Sequence, residues 1–195
     1  MTDFDLFEFW TSEAEEHTSV ADKTFETLCE PFAQWLDVSV SAVENGNKII
    51  FFGNGGSASD AQHLATELAV RYISDREPIP ALSLATDTSS LTAIGNDMGF
   101  EHIFARQINA VGQSGDIAVG ISTSGKSPNV IKALEAARKK GIITVGLSGR
   151  DGGDMHEVCD LLLIIPSHTT ARIQEMHITL GQMFCGAMEQ RLGLV

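Results

Sequence analysis

Two short stretches, Gly53-Asn54-Gly55-Gly56-Ser57 and Ser122-Thr123-Ser124-Gly125-Lys126-Ser127, have the composition of anion-binding turns. Glycine lets the main chain approach a ligand closely. A helix starting just beyond aims unpaired N–H groups at an anion, and the serines add hydroxyl donors. Either stretch alone reads equally well as an ordinary strand-to-helix turn; two of them in one sheet point to a ligand. Gly120 to Ser127 also satisfies the pattern G-x-x-x-x-G-K-S of nucleotide-binding loops. Gly120, however, falls inside an apolar run, and no later run ends in the aspartate that Mg²⁺ coordination would require.

Just after the first of these stretches, Asp60-Ala61-Gln62-His63-Leu64-Ala65-Thr66-Glu67 places an imidazole and a carboxylate four residues apart, on one face of a helix. Such a pair can ligate a metal together, act as acid and base, or simply share a hydrogen bond along the helix. Near the end of the chain, Gln174 and His177 share a helix face. Gln182 lies two turns on from Gln174 and about 80° around the axis. Spacing alone therefore nominates His177 over Gln182 as a ligand.

The charge balance narrows what these residues can hold. Thirteen Lys and Arg against twenty-six Asp and Glu leave a formal charge of −13, which opposes nucleic acid and anionic membranes. The same field repels a phosphate ester, so a phosphate site here is built from backbone N–H groups and hydroxyls rather than from lysines. Cys29, Cys159 and Cys185 are odd in number, widely spaced and without a C-x-x-C pair, and no secretory leader is recognisable; free thiols in a reducing cytoplasm are expected. The apolar runs, such as 161–166, are too short to span a bilayer.

The elements that must carry these residues follow from periodicity. Phe4, Phe7, Trp10, Phe25, Leu28, Phe32, Trp35 and Leu36 recur at close to helical period, predicting two amphipathic helices broken near Pro31, with the aromatic stripe in a core or oligomer interface. From Lys48 onward, apolar runs at 48–52, 81–85, 116–122, 143–147 and 161–165 alternate with helical segments at 59–73, 89–94, 101–111, 129–140 and 171–192. The runs are apolar throughout and do not alternate, as in a parallel sheet covered by helices on both faces. The expectation is one domain over residues 1–195: a helical segment at 1–46, then an α/β core at 47–195 built as a three-layer αβα sandwich around a five-stranded parallel sheet. In such sheets ligands sit at the carboxyl ends of the strands, where both glycine-rich stretches fall.

With these features in place the chain resembles the phosphoheptose isomerases of the sugar-isomerase (SIS) domain superfamily over almost its whole length. The likeness runs through Gly53 to Ser57, Ala61-Gln62-His63 with Glu67, Thr92-Ala93-Ile94-Gly95-Asn96-Asp97, Ile121 to Ser127, Gly149 to Gly153 and Arg172-Ile173-Gln174-Glu175. The resemblance implies the SIS fold and a cytoplasmic homotetramer with sites near subunit interfaces. The implied reaction converts D-sedoheptulose 7-phosphate to D-glycero-D-manno-heptose 7-phosphate, toward bacterial surface heptoses such as those of lipopolysaccharide. It implies a phosphorylated seven-carbon sugar as ligand. Ser57, Ser122, Thr123, Ser124 and Ser127 match phosphate- and sugar-loop positions; Asn54, Gly55, Gly56, Asn96 and Asp97 match sugar contacts; Arg71 matches a charged residue near the site. His63, Glu67 and Gln174 match zinc ligands, with Glu67 also the catalytic base and Gln174 also lining the substrate site. The chain departs at Gln182, where the family pattern carries a histidine that is both the fourth zinc ligand and the catalytic acid or base. Relatives with that histidine carry one at the His177 position too. A sister group lacking the histidine regulates replication initiation as a protein-binding tetramer, but alters Glu67 and the Gly-Gly-Ser loop, which this chain keeps. The acidic N-terminal segment offers no recognition helix for a sugar-phosphate-sensing transcription factor.

Overall fold

The computed structural model describes residues 4–195. Two helices, α1 (Leu6–Thr27) and α2 (Cys29–Glu44), lead into an alternation of strands β1 (Ile49–Gly53), β2 (Ala81–Ser83), β3 (Ile117–Ser122), β4 (Ile143–Gly149) and β5 (Leu161–Ile165) with helices α3 (Gly56–Ala69), α4 (Thr88–Met98), α5 (Ile103–Val111) and α6 (Pro128–Lys139). A last helix, α7 (Thr170–Arg191), closes the chain, and short 3₁₀ turns occupy Phe100–His102 and Gly153–Glu157. The five strands form one sheet in the order β2-β1-β3-β4-β5, and every pairing is parallel.

Successive residues of each strand serve opposite faces of this sheet. Ile49, Phe51, Val119 and Val145 pack against α2, α3 and α7 through Trp35, Leu64, Leu68, Ile173 and Phe184. Ile50, Phe52 and Ala118 pack against α4, α5 and α6 through Ile94, Phe104, Val130 and Leu134. Both faces are thus apolar, which is why the strand sequences do not alternate and why the expected three-layer α/β sandwich forms. Trp35 fastens α2 to α7 by stacking on Phe184, with ring centroids 3.9 Å apart and planes 2° from parallel.

The N-terminal helices separate at Leu28 rather than at Pro31. Pro31 is the third residue of α2, within the first turn, where a missing N–H removes no intrahelical bond. α3 starts three residues earlier than periodicity suggests because Gly56, Ser57 and Ala58 themselves form its first turn, and it ends at Ala69 rather than near residue 73. β2 is shorter than its apolar run, since Ser83 turns the chain by accepting from Ala85 N at 3.2 Å and from Thr86 Oγ1 through its carbonyl at 2.9 Å. The thiols of Cys29, Cys159 and Cys185 are free, and burial pushes those of Cys159 and Cys185 up to about 12, far from nucleophilic thiolates.

At the opposite edge from the crevice, Asp116 anchors the entry to β3. Burial opposes its charge, but Lys48 Nζ at 2.7 Å, Gln113 N at 2.7 Å and Lys48 N at 3.1 Å outweigh that penalty and hold its carboxyl below the ordinary range. Its side chain is 1% exposed. Asp116→Asn is expected to cost about 1.5–3 kcal/mol in urea unfolding at pH 7. Because the folded value is depressed, this contribution is complete above the unfolded value near pH 4 and fades as pH falls through the folded one. The gap between wild type and variant should therefore narrow below about pH 4.

Candidate active site

The direction of strand addition reverses at β1, which is followed in sequence by β2 on one side and later by β3 on the other. That reversal leaves a crevice outside the carboxyl ends of β1 and β3, where Gly53 is registered with Ile121. Both glycine-rich stretches open into it. They are tied together by reciprocal amide bonds, Asn54 Nδ2 to Asn129 Oδ1 at 2.9 Å and Asn129 Nδ2 to Asn54 Oδ1 at 2.7 Å.

The helices that start here are left uncapped. α1 and α4 carry Asp5 and Asp87, whose carboxylates accept from their first N–H groups, whereas α3 follows Gly55 (φ 55°) and α6 follows Ser127 with no side-chain cap. At the positive ends of these two helix dipoles the N–H groups of Gly56, Ser57 and Asn129 are left to an anion; Pro128 has no N–H, and Ala58 N and Val130 N turn back to the carbonyls of Gly55 and Ser127 at 3.1 and 3.0 Å. Ser127 does not cap because its hydroxyl lies 2.9 Å from that of Ser122, and Ser124 Oγ accepts from Lys126 N at 3.2 Å, which keeps its proton free to donate outward. Thr123 and Ser124 are half-buried and Ser57 is buried at the start of α3. Gly125 (φ 65°) presses its α-carbon against the carbonyl of Gly152, so no side chain fits there.

Gly120, by contrast, lies within β3 and packs against Val130 and Leu134, and Lys126 reaches only an exposed Asp151 at 3.8 Å. The nucleotide-loop pattern is therefore split between a strand and a turn.

A second cluster lies further along α3, which runs alongside α7 in the same direction: Gly56 meets Gln174, Leu64 meets Gly181 and Tyr72 meets Gly186. His63 Nε2 stands 3.0 Å from Glu67 Oε1 and 2.9 Å from Gln182 Nε2. His63 and Glu67 are 48% and 22% exposed, so the group is open to small molecules. Gln174 lies against Gly56, where an added Cβ would sit 2.5 Å from its Nε2. Along α7 it precedes Gln182 by about 12 Å, between the crevice and the His63 cluster.

His177 belongs to neither group. It is buried beneath β4, its Nε2 bonded to Ser148 O at 2.9 Å and its Nδ1 without a partner, and burial lowers its pKa to about 4. Spacing along α7 favours His177 over Gln182, and the structure reverses this: the α3–α7 packing turns Gln182 toward His63 and His177 into the core.

Asp60, which residue patterning does not single out, completes the stripe at i, i+3 and i+7 with His63 and Glu67. Its Oδ2 is buried without a partner, and its pKa is raised by burial, against the attraction of His63. Three polar residues at helical spacing were the available signal. Arg71, Asn96 and Asp97 are exposed; Asn96 Nδ2 donates to Asp97 Oδ1 at 2.8 Å, and among the described residues none of the three shares a hydrogen bond with either cluster.

The contacts of His63 Nε2 bear on what this cluster can hold. One ring nitrogen carries either a proton or a lone pair, so it cannot donate to Glu67 and accept from the Gln182 amide at once. With the Gln182 amide turned over, its oxygen and that of Glu67 would compete for one proton. Three donors with more lone pairs than protons suit a cation, and atoms sharing a tetrahedral zinc with bonds near 2.0–2.1 Å sit about 3.3 Å apart. Among the described residues no three His, Cys, Asp or Glu side chains gather to hold a metal, so a shell here would draw on the amide of Gln182; Gln174, against Gly56 two turns nearer the crevice, is not brought to this cluster.

The SIS domain family model matches residues 14–149. Over 181 residues, 93% of this chain and 94% of the relative, the chain is 51% identical to a phosphoheptose isomerase of Paramagnetospirillum magneticum. It is 53% identical to that of Rhodospirillum rubrum over 84% of its length and 88% of the relative. The chain belongs to the phosphoheptose isomerase family. The solved phosphoheptose isomerase of Neisseria gonorrhoeae superposes with a TM-score of 0.91 at 41% identity, covering 95% of this chain and all of that one. That of Francisella tularensis does so with a TM-score of 0.93 at 34% identity, over 96% of this chain and all of that one. No helix among the described residues is long and apolar enough to cross a membrane.

Proposed function

We propose that this chain isomerises D-sedoheptulose 7-phosphate to D-glycero-D-manno-heptose 7-phosphate for bacterial surface heptoses, as a cytoplasmic homotetramer carrying zinc at His63, Glu67 and Gln182, with Gln174 lining the substrate path between crevice and metal. The observation that carries the reading is the Glu67 carboxylate, open to solvent and fixed beside His63 and Gln182 on a helix that starts in an uncapped, hydroxyl-lined crevice.

The phosphate and the reacting carbons lie at opposite ends of this substrate, and so do the two clusters. Ser122, Thr123, Ser124 and Ser127 hold the phosphate with the Asn129 N–H at the start of α6, while Asn54, Gly55, Gly56 and Ser57 line the way to α3. The rise along α3 from Ser57 to Glu67 is about 15 Å. Side chains lean toward the helix N-terminus, so the Glu67 carboxylate inclines toward the crevice. Glu67 takes a proton from C1 of the ketose and returns it to C2 of the aldose through an enediolate. Zinc, when bound, supplies a Lewis acid that polarises the carbonyl. Gln182 orients the substrate oxygens by hydrogen bonds but cannot titrate, and His177 is out of reach, so water moves the oxygen-bound proton from O1 to O2.

Assembly accounts for the remaining residues. Phe7 and Trp10 are 80% and 72% exposed along a groove on α1, the kind of apolar patch that marks a protein interface. A tetramer covers this face and brings Arg71, Asn96 and Asp97 to sites near subunit borders. The deciding experiment incubates the purified chain with D-sedoheptulose 7-phosphate and measures aldose product, zinc content and particle mass on one preparation. Product, bound zinc and a four-chain mass are expected; no product with zinc in excess would overturn the assignment.

Ser124→Ala tests the phosphate cradle. The hydroxyl is held by Lys126 N and donates outward, so its loss should weaken binding of the sugar 7-phosphate by about 1.5–3 kcal/mol in calorimetry. Unchanged affinity would place the phosphate elsewhere.

A further inference from the structure

Among the charged residues outside the two clusters, one pair is buried almost completely: Arg76 and Glu189, with side chains 1% and 2% exposed and Arg76 Nε 2.8 Å from Glu189 Oε1. Of the remaining guanidinium donors, one bond goes to the adjacent Glu77 O at 3.1 Å and the others to the end of α3. Nη2 donates to Glu67 O at 2.8 Å and Nη1 to Leu68 O at 2.7 Å, while Glu189, on α7, also accepts from Tyr72 N at 3.1 Å. The last carbonyls of a helix lack intrahelical donors and carry the negative end of its dipole, so a planar cation is well matched to them.

The consequence for the site is geometric. Glu67 is the residue whose carbonyl Arg76 grips, and Gln182 is on the helix that Glu189 anchors. Together with the seating of Leu64 on Gly181 and the bond from Ile79 N to Leu68 O at 3.1 Å, the guanidinium fixes the rotation of the last turn of α3 and its distance from α7, the two quantities that decide where the Glu67 carboxylate lies relative to His63 and Gln182. Packing alone leaves this end of α3 less constrained: beyond Ala69 the chain peels away, with Val70, Arg71 and Ile73 exposed. We infer that Arg76 and Glu189 are positioning residues for the Glu67 carboxylate, acting through the backbone of α3; as a statement about catalysis this rests on the isomerase reading above.

Two variants separate positioning from stability. Arg76→Lys keeps a charge opposite Glu189 but cannot span Glu189 and both carbonyls. Arg76→Met combined with Glu189→Gln leaves no buried charge unpaired and preserves an acceptor for Tyr72 N, the kind of replacement that buried ion pairs often tolerate. A misplacement of about 1 Å can cost 10²-fold in rate, so kcat per folded molecule should fall about 10–100-fold in both, with KM within about threefold. The ring NMR signals of His63, which report on the nearby carboxylate, should move in both variants whether or not turnover is measurable. Wild-type kcat in a folded variant, or unmoved His63 signals, would overturn the inference. If the double variant does not fold, Arg76→Lys decides alone. A wild-type protein without turnover would instead sink the isomerase reading, leaving the His63 signals to judge the positioning.

Discussion

Glu67→Gln is expected to reduce turnover of D-sedoheptulose 7-phosphate by about 10²–10⁴-fold, the usual contribution of a positioned general base. The exchange keeps shape and hydrogen-bonding capacity. Glutamine can still meet His63, and the carbonyl of residue 67 still accepts from Arg76, so the fold and the α3–α7 seam should survive. What disappears is the ability to accept a proton from carbon. Among the groups at this end of α3 and α7, the other candidates are poorly suited to that role: Gln182 does not titrate, His177 is sealed under β4, and Asp60 sits with one oxygen buried two turns nearer the crevice. Substrate affinity should change little, because the proposed phosphate contacts are at the loops and not at Glu67. A variant retaining more than about a tenth of wild-type kcat would move the base to Asp60, whose raised pKa and unpartnered oxygen make it the next carboxylate to replace.

Much of the scaffold is legible in the sequence. Uninterrupted apolar runs ending in glycine or serine identify strands buried on both faces, and Gly125 and Gly56 mark places where backbone or a neighbouring side chain comes too close for a Cβ. Local rules were less informative about where elements end. The break at Leu28 and the end of α3 at Ala69 depend on what packs against the chain, and in the second case the partner is Arg76 with Glu189, residues 113 apart.

The site divided in the same manner. His63 with Glu67 is a four-residue relation within one helix and could be read directly, whereas the meeting of His63 with Gln182 spans 119 residues. Rotation around α7 by 100° per residue says which of its side chains share a face, but not which face turns toward α3 and which toward β4. Only the seating of Gly181 on Leu64, and of His177 on Ser148, settles that. Asp60 lay on the readable stripe but gained interest only from its buried oxygen.

Gln182 is where the chain leaves the pattern its family membership leads one to expect, and Gln182→His is expected to raise both zinc retention and turnover. The amide now stands 2.9 Å from His63 Nε2, so a side chain at 182 already reaches the centre of the cluster, and an imidazole is of comparable length. As a zinc ligand, imidazole nitrogen is a better donor than an amide oxygen, and metal should survive a chelator that strips the wild type. As an acid or base, it adds a titrating group at a position where the amide offers none, worth up to about 10²–10⁴ in kcat. The two effects come apart experimentally. Tighter zinc with unchanged kcat would show that water already relays the oxygen-bound proton fast enough, leaving Glu67 to limit the rate. A lower kcat would mean that the pocket has settled around the amide and the ring crowds the substrate, for which the half-buried setting of Gln182 leaves some room to judge by size alone: Gln182→Asn, smaller and equally unable to titrate, should then not reproduce the loss. If wild type and Gln182→His are both inert with zinc supplied, the carboxylate of Glu67 is not serving as a base in this chain, and the isomerase reading falls with it.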